Sequence, residues 1–336
     1  MQKLQQPSFI ITVGASAGGL NAVSELVAQL PEDLDAAVFV VLHLSNVGLG
    51  EFLITRLQKH TSFICLIPKD GDEIEAGRIY LAPPNTHLLI RDGRAGLAHG
   101  PAENRWRPSI DVLFRSAAAH YGNRVIGIIL TGYLNDGVAG MGAIKKGNGY
   151  CIVQDPNQAE YPDMPLSVLE EMEVNHCVPL GEMGSIIEEI VTNGRPEPAE
   201  IDAQVIKEAR IAENTITSID AVAELGEKST FACPDCGGGL WNVNDSPTKS
   251  YRCHVGHVFT EKNLVVQQAQ SLESTLWVAL RMMEERRMLL KKIGENEKNK
   301  GFVRMAKGHL KQSEELEDHI SKLKALLFET KKEATL

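Results

Sequence analysis

No stretch of this 336-residue chain approaches the ~18–20 uninterrupted apolar residues of a membrane span, so membrane insertion is not expected. The N-terminus, Met1-Gln2-Lys3-Leu4-Gln5-Gln6-Pro7, has no apolar signal core, which argues against export. A basic surplus is missing as well. Residues 1–193 hold 13 Lys+Arg against 22 Asp+Glu, net −9, and residues 194–336 hold 21 against 22, net −1. Neither part carries the positive charge that a nucleic-acid partner requires. Cysteine is scarce, six in all: Cys65, Cys151 and Cys177 stand alone in apolar surroundings, and Cys233, Cys236 and Cys253 cluster. That usage suits a reducing, cytoplasmic setting and a metal site better than a disulfide framework. Internal repeats and low-complexity tracts are absent. Hydrophobic residues at 43% and charged residues at 23% exclude disorder and fibre.

What is there is an alternation of short apolar runs and amphipathic segments over the first 190 residues. Strands are expected at Phe9–Val13, Ala37–Leu42, Cys65–Ile67, Ile79–Ala82, Val125–Leu130, Tyr150–Val153 and Asn175–Val178. His87–Arg91 and Gly96–His99 read as a hairpin turned through Asp92-Gly93. Helices are expected at Gly19–Leu30, Gly50–His60, Ser109–Tyr121, Val138–Lys146, Pro165–Met172 and Met183–Thr192. The fold class is therefore α/β, a doubly wound, mostly parallel sheet covered on both faces. Turn formers at Asn193–Pro198 mark a boundary, and 193–230 reads as a linker with one helix near Ile201–Ala212. A Cys/His module follows at 231–260. Residues 261–336 read as a helical hairpin or coiled-coil segment, with Leu276, Leu280 and Met283 on one face and Leu316, Ile320, Leu323 and Leu327 on another.

Directly after the first strand stands Gly14-Ala15-Ser16-Ala17-Gly18-Gly19, which matches G-x-S-x-G, the sharp strand-to-helix turn that exposes a nucleophilic serine. The helix N-terminus behind it offers free N–H groups to a developing oxyanion. A dinucleotide turn would need glycine at Ser16 and an acidic residue ending the second strand, where His43 stands instead. His43 at that strand end can take the serine proton, or it caps a loop. Asp136, in Thr131-Gly132-Tyr133-Leu134-Asn135-Asp136-Gly137 after another buried strand, can orient His43, or it caps the helix Val138–Lys146. All three loops fall at the carboxyl edge of the sheet.

Gly14–Gly19, the His43 strand end and Leu130–Gly137 together resemble the three active-site blocks of the CheB-like protein-glutamate methylesterases of bacterial chemotaxis. Ile79–Leu88 and Arg107–Ser116 agree with that family, and the resemblance covers about residues 8–192. It implies Ser16 as nucleophile, His43 as general base and acid, Asp136 as the residue orienting His43, and backbone N–H groups of Ala17, Gly132 and Tyr133 as oxyanion donors. It also implies hydrolysis of glutamyl methyl esters on chemoreceptors with release of methanol, glutamine deamidation in some members, and no cofactor for catalysis. Familiar members carry a receiver domain ahead of this block. Here the block starts within ten residues of Met1, so regulation by phosphorylation in cis is not expected. Ala17 replaces a common threonine and Tyr133 a common methionine, which bears on substrate preference more than on reaction type.

The Cys/His module reads Cys233-Pro234-Asp235-Cys236, sixteen residues, then Cys253-His254-Val255-Gly256-His257. That is zinc-ribbon spacing, and a structural zinc is expected; a redox C-x-x-C would not need the second pair. Spacing leaves the fourth ligand open between His254 and His257. Similar modules appended to CheB-like domains keep the valine-glycine-histidine end, which favours Cys233, Cys236, Cys253 and His257. The partner implied is a methylated chemoreceptor or a similar signalling protein, and the C-terminal helices also allow a homo-oligomer. The competing reading is a catalytically weak esterase-fold scaffold that binds signalling partners through the zinc and helical segments.

Overall fold

The computed structural model describes residues 6–43, 50–194, 201–213, 222–243 and 249–333. In chain order the first elements are β1 (Phe9–Ala15), α1 (Gly19–Val27), β2 (Ala36–Leu42), α2 (Gly50–Leu57), β3 (Ile64–Leu66), β4 (Asp72–Glu73), β5 (Arg78–Leu81), β6 (His87–Arg91) and β7 (Arg94–Ala98). Then come α3 (Ile110–Tyr121), β8 (Val125–Ile129), α4 (Val138–Lys146), β9 (Tyr150–Gln154), α5 (Asp163–Glu171), β10 (His176–Val178), α6 (Met183–Asn193) and α7 (Ala203–Glu213). The seven-stranded main sheet has the order β10-β9-β8-β1-β2-β5-β3, and its described pairings are parallel.

Strands β1, β2 and β8 are buried along their whole length, as unbroken apolar runs covered on both faces must be. Side chains alternate between two cores. Phe9, Ile11 and Val13 pack with Val23 and Leu26 of α1 and Ile187 of α6, while Ile10 joins Phe114 of α3 and Met141 and Ile144 of α4. Each fully buried side chain of this kind contributes about 1.5–3 kcal/mol. The chain builds outward from β1 through β2, then returns to place β8 on the other side. This reversal beside β1 is the position at which open α/β sheets gather functional groups, outside the carboxyl ends of the strands.

The expected hairpin forms, with positive φ at Asp92 (51°) and Gly93 (72°), the geometry of a primed two-residue turn. It belongs to a side sheet of order β4-β7-β6. α1 ends at Val27 rather than Leu30, and β10 begins at His176 rather than Asn175. The boundary signal at Asn193–Pro198 lies mostly outside the described residues, as does part of the linker.

The Cys/His module is a four-stranded antiparallel sheet in the order β11 (Lys228–Ala232), β12 (Gly239–Val243), β13 (Ser250–Cys253) and β14 (Val258–Thr260). Although the sequence divides at 193 and 231, the contacts group Met1–Asn263 as one compact unit and Leu264–Leu336 as another. The second unit is a helical hairpin drawn from the helices Glu261–Asn299 and Val303–Glu333. Leu280, Ile320 and Leu327 are buried in its seam, and Lys324 with Glu284 (2.8 Å) and His309 with Glu297 (2.8 Å) tie its two arms antiparallel. Among the described residues no helix is long and apolar enough to cross a membrane.

Candidate active site and candidate metal centre

Ser16 lies just past β1, in the turn into α1. The turn needs Gly18, whose φ is +71°, and the Ser16 N–H donates to the Thr131 carbonyl (3.0 Å). Gly132 packs so close that a Cβ there would fall 2.7 Å from Ser16 Cβ and 2.2 Å from the Met164 sulfur. His43 follows β2, whose register pairs Ala15 with Leu42, and its N–H donates to the Ala15 carbonyl (3.0 Å). Ser16 and His43 are thus the next residues past adjacent ends of parallel strands, which lie ~4.8 Å apart. Asp136 sits in the loop after β8.

The His43 ring is buried, with Nε2 3.0 Å from Asp136 Oδ2 and the carboxylate off the line of the ring N–H. Nδ1 is buried too, and among the described residues it has no hydrogen-bond partner. The indole of Trp106 stacks on the imidazole, 4.0 Å between centroids and 7° between planes. Asp136 is 1% exposed and accepts from Ser109 Oγ (3.0 Å), Ile110 N–H (2.7 Å) and Asp111 N–H (3.3 Å). Burial works to raise its pKa, but His43, Ile110 N–H and Ser109 outweigh burial and hold the carboxyl below its ordinary value. A helix N-terminus favours the anion for the same reason. The capping alternative therefore applies to a different helix: Asp136 caps α3, not α4, whose N-cap is Gly137 with no side-chain cap bond.

Asp111 is buried beside Asp136, and Asn104 bridges them, donating from Nδ2 to Asp111 Oδ2 (2.6 Å) and reaching Asp136 Oδ1 (3.5 Å). Burial and then the Asp136 charge push Asp111 well above the ordinary carboxylate range, against the pull of Arg115 and the Gly140 N–H. A buried carboxyl raised in the fold adds stability that is complete below its unfolded value of about 3.9 and is lost as pH rises toward the folded value. Asp111→Asn removes this loss. The Tm of the variant minus that of the wild type should grow from about pH 4 to about pH 7, read by thermal denaturation. A difference constant over that range would contradict the assignment.

Of the expected oxyanion donors, the Gly132 N–H donates to the Tyr161 carbonyl (2.9 Å) and is committed there; Ala17 and Tyr133 remain. Several polar residues of the site carry no sequence signal that singles them out. Glu103, Asn104 and Trp106 fall between the expected elements, and Ser109 stands only as the first residue of an expected helix. The hydroxyl of Ser109 serves Asp136 instead.

In the module, ligand atoms of Cys233, Cys236, Cys253 and His257 all lie within 4.8 Å of one another. Cys236 Sγ is 3.8 Å from Cys253 Sγ, and Cys253 Sγ is 3.5 Å from His257 Nδ1. A tetrahedral ion with bonds of about 2.3 Å to sulfur and about 2.0 Å to nitrogen requires edges of about 3.8 and about 3.5 Å, so the donor set fits zinc. Two tight turns build it. Gly237 (φ +75°) closes the first with its N–H on the Cys233 carbonyl (2.8 Å), and Gly256 (φ +115°) closes the second on the Cys253 carbonyl (3.0 Å). His257 Nε2 faces Asp235 Oδ2 at 3.9 Å, the outer carboxylate common behind ligating histidines. The His254 ring lies against Gly238 and is not part of the cluster.

A parallel sheet with a buried polar cluster at its topological switch point, beside a G-x-S-x-G turn, defines a doubly wound α/β protein with a candidate active site at that edge. The family model for CheB methylesterase matches residues 11–187, and the chain belongs to that family. A relative from Leptospira interrogans, named for protein-glutamate methylesterase and protein-glutamine glutaminase activity, is 37% identical over 177 residues, 52% of this chain and 91% of its own. A protein-glutamate methylesterase/protein-glutamine glutaminase of Koribacter versatilis is 34% identical over 185 residues, 54% of this chain and 51% of its own. This chain thus spans about half the length of that relative. The crystal structure of the Thermotoga maritima CheB methylesterase catalytic domain superposes with a TM-score of 0.52 at 29% identity, covering 55% of this chain and 98% of that one.

Proposed function

We propose that the chain is a serine hydrolase that removes methyl esters from glutamate side chains of a signalling protein, with Ser16, His43 and Asp136 as its triad. The observation that carries the reading is the buried His43–Asp136 pair, one strand across from Ser16 in the parallel register. With Nε2 turned to Asp136, Nδ1 is the nitrogen left to take the Ser16 proton as Oγ attacks the ester carbonyl. Backbone N–H groups of Ala17 and Tyr133 meet the developing oxyanion at the N-terminal end of α1. His43 returns the proton to the departing methoxide, giving methanol and an acyl-serine. Water activated by the same histidine then frees the glutamate. On a glutamine side chain the same steps release ammonia, in keeping with the double names of the relatives.

The substrate proposed is a methylated chemoreceptor or a similar signalling protein in the cytoplasm, and no cofactor takes part in the chemistry. Cys233, Cys236, Cys253 and His257 hold a structural zinc, which supplies folding energy to the module. Exposed Trp277, Met288 and Leu289 on the helix Glu261–Asn299 support association with a second copy. Incubation of the purified chain with a methylated receptor cytoplasmic fragment should release methanol in proportion to the esters lost. Absence of methanol with a fragment that an established methylesterase demethylates would reject the reading.

A further inference from the structure

The module meets the candidate active site at a short turn, Glu103–Trp106, and at the Asp136 loop. Glu103, 2% exposed, is paired with Arg115 of α3 on one side and with Arg252 of β13 on the other (2.8 Å). Next to it, Asn104 donates its backbone N–H to the Val258 carbonyl (2.9 Å), while its Oδ1 accepts from the Thr260 N–H (3.2 Å). The opposite end of the same side chain bridges Asp111 and Asp136. Asn104 and Arg105 are both left-handed, φ +49° and +74°, a conformation that non-glycine residues hold only when their surroundings impose it. The turn closes with a bridge between Glu103 and Trp106, and Trp106 is the residue stacked on His43. A second link reaches the Asp136 loop: Asn135 donates to Thr260 Oγ1 (2.7 Å) and accepts from Asn263 (2.7 Å).

Arg252, Val258 and Thr260 belong to one hairpin, paired Arg252 with Val258 and Ser250 with Thr260. Its bend carries Cys253 and His257, two of the four candidate ligands, with the Cys253 N–H on the His257 carbonyl (3.0 Å). An ion that fixes those two residues fixes the hairpin, and the far side of that hairpin is what holds the turn. Building on the esterase reading above, we propose that the hairpin Ser250–Thr260 is a clasp, set by the bound metal, that positions His43 and Asp136 through the Glu103–Trp106 turn. Asn104, Trp106 and Arg252 are positioning residues, each acting through His43 or Asp136. Esterase activity then depends on the ion although the ion touches no reacting atom.

The test uses the full chain. In Arg252→Met, zinc should stay at about one equivalent. With the turn misplaced, kcat should fall about 10²-fold, the cost of a ~1 Å misplacement, while KM changes little. Hydrogen exchange at 103–106 should quicken, and Arg252→Lys should recover part of the rate by restoring the charge opposite Glu103. A kcat within twofold of wild type, with zinc retained and 103–106 exchanging faster, would overturn the clasp. Stripping zinc from the wild type with a chelator and adding it back serves where Arg252→Met does not fold. Methanol release should fall and return with the metal, and full activity in zinc-free protein would also overturn the proposal. Exchange is read without substrate, so the two readings separate. If the wild type releases no methanol while exchange at 103–106 follows zinc, the esterase reading fails and the clasp stands. If methanol is released at the same rate with and without zinc, the clasp alone fails.

Discussion

Ser16→Ala should lower ester hydrolysis about 10⁶-fold while leaving the fold intact, because removal of a triad nucleophile costs about as much as removal of the whole triad. The site explains why the fold should survive. Ser16 is held by its backbone, through the N–H to Thr131 (3.0 Å) and its carbonyl to the Gly19 N–H (2.9 Å), and neither contact involves the hydroxyl. In the proposed mechanism the hydroxyl serves the reaction rather than docking, so binding of the methylated fragment should persist. Asp136→Asn gives the contrasting case. It should depress kcat about 10⁴-fold through the wrong imidazole tautomer. It should also cost stability, because Asp136 caps α3 through the Ile110 N–H and takes the Ser109 hydroxyl. A Ser16→Ala protein that keeps even about a tenth of wild-type activity would remove Ser16 from the mechanism.

The contrast between those two substitutions marks what the sequence shows and what it hides. Strands such as Val125–Ile129 are legible because a parallel sheet buried on both faces demands unbroken apolar runs. The strand-end positions of Ser16, His43 and Asp136 follow from those runs. Strand β4, two residues long, offers no periodicity to read. The partner helix of Asp136 is equally silent, since Ile110 stands 26 residues away and only the packed sheet brings α3 to that loop. Arg252 shows the limit most clearly. A charged residue in a short strand reads as solvent-facing, because arginine is seldom fully buried without a partner. Here its partner is Glu103, 149 positions earlier, and both are buried. Long-range pairing of buried charges leaves no local pattern, so the union of the module with the catalytic fold emerges only in three dimensions.

The second large effect concerns the metal. Protein purified without chelators should hold about one equivalent of zinc, and less than about a tenth would refute the assignment. Cys236→Ser should release it and melt β11–β14. The module has about thirty residues and too little apolar surface to fold alone, which is the size range where a metal or disulfide is usually required. Among the described residues its buried apolar side chains are few: Leu240, Trp241, Tyr251, Val258 and Phe259, with Cys233 and Cys253 themselves part of the core. Structural zinc in modules of this kind supplies an apparent ~10–16 kcal/mol, more than such a core can replace. Amide exchange across 228–260 should therefore rise toward that of an unfolded chain, while β1, β2 and β8 keep their protection inside the parallel sheet. The change should not stop at the module. Glu103 would keep Arg115 but lose Arg252, and Asn135 would lose Thr260, so part of a buried polar network is left unmatched. Breaking one side of a buried ion pair costs about 3–5 kcal/mol, which makes a lower Tm for the whole of Met1–Asn263 the expected result. An unchanged Tm for the parallel sheet after complete loss of zinc would show that the Glu103 and Asn135 contacts add nothing to the stability of the catalytic fold.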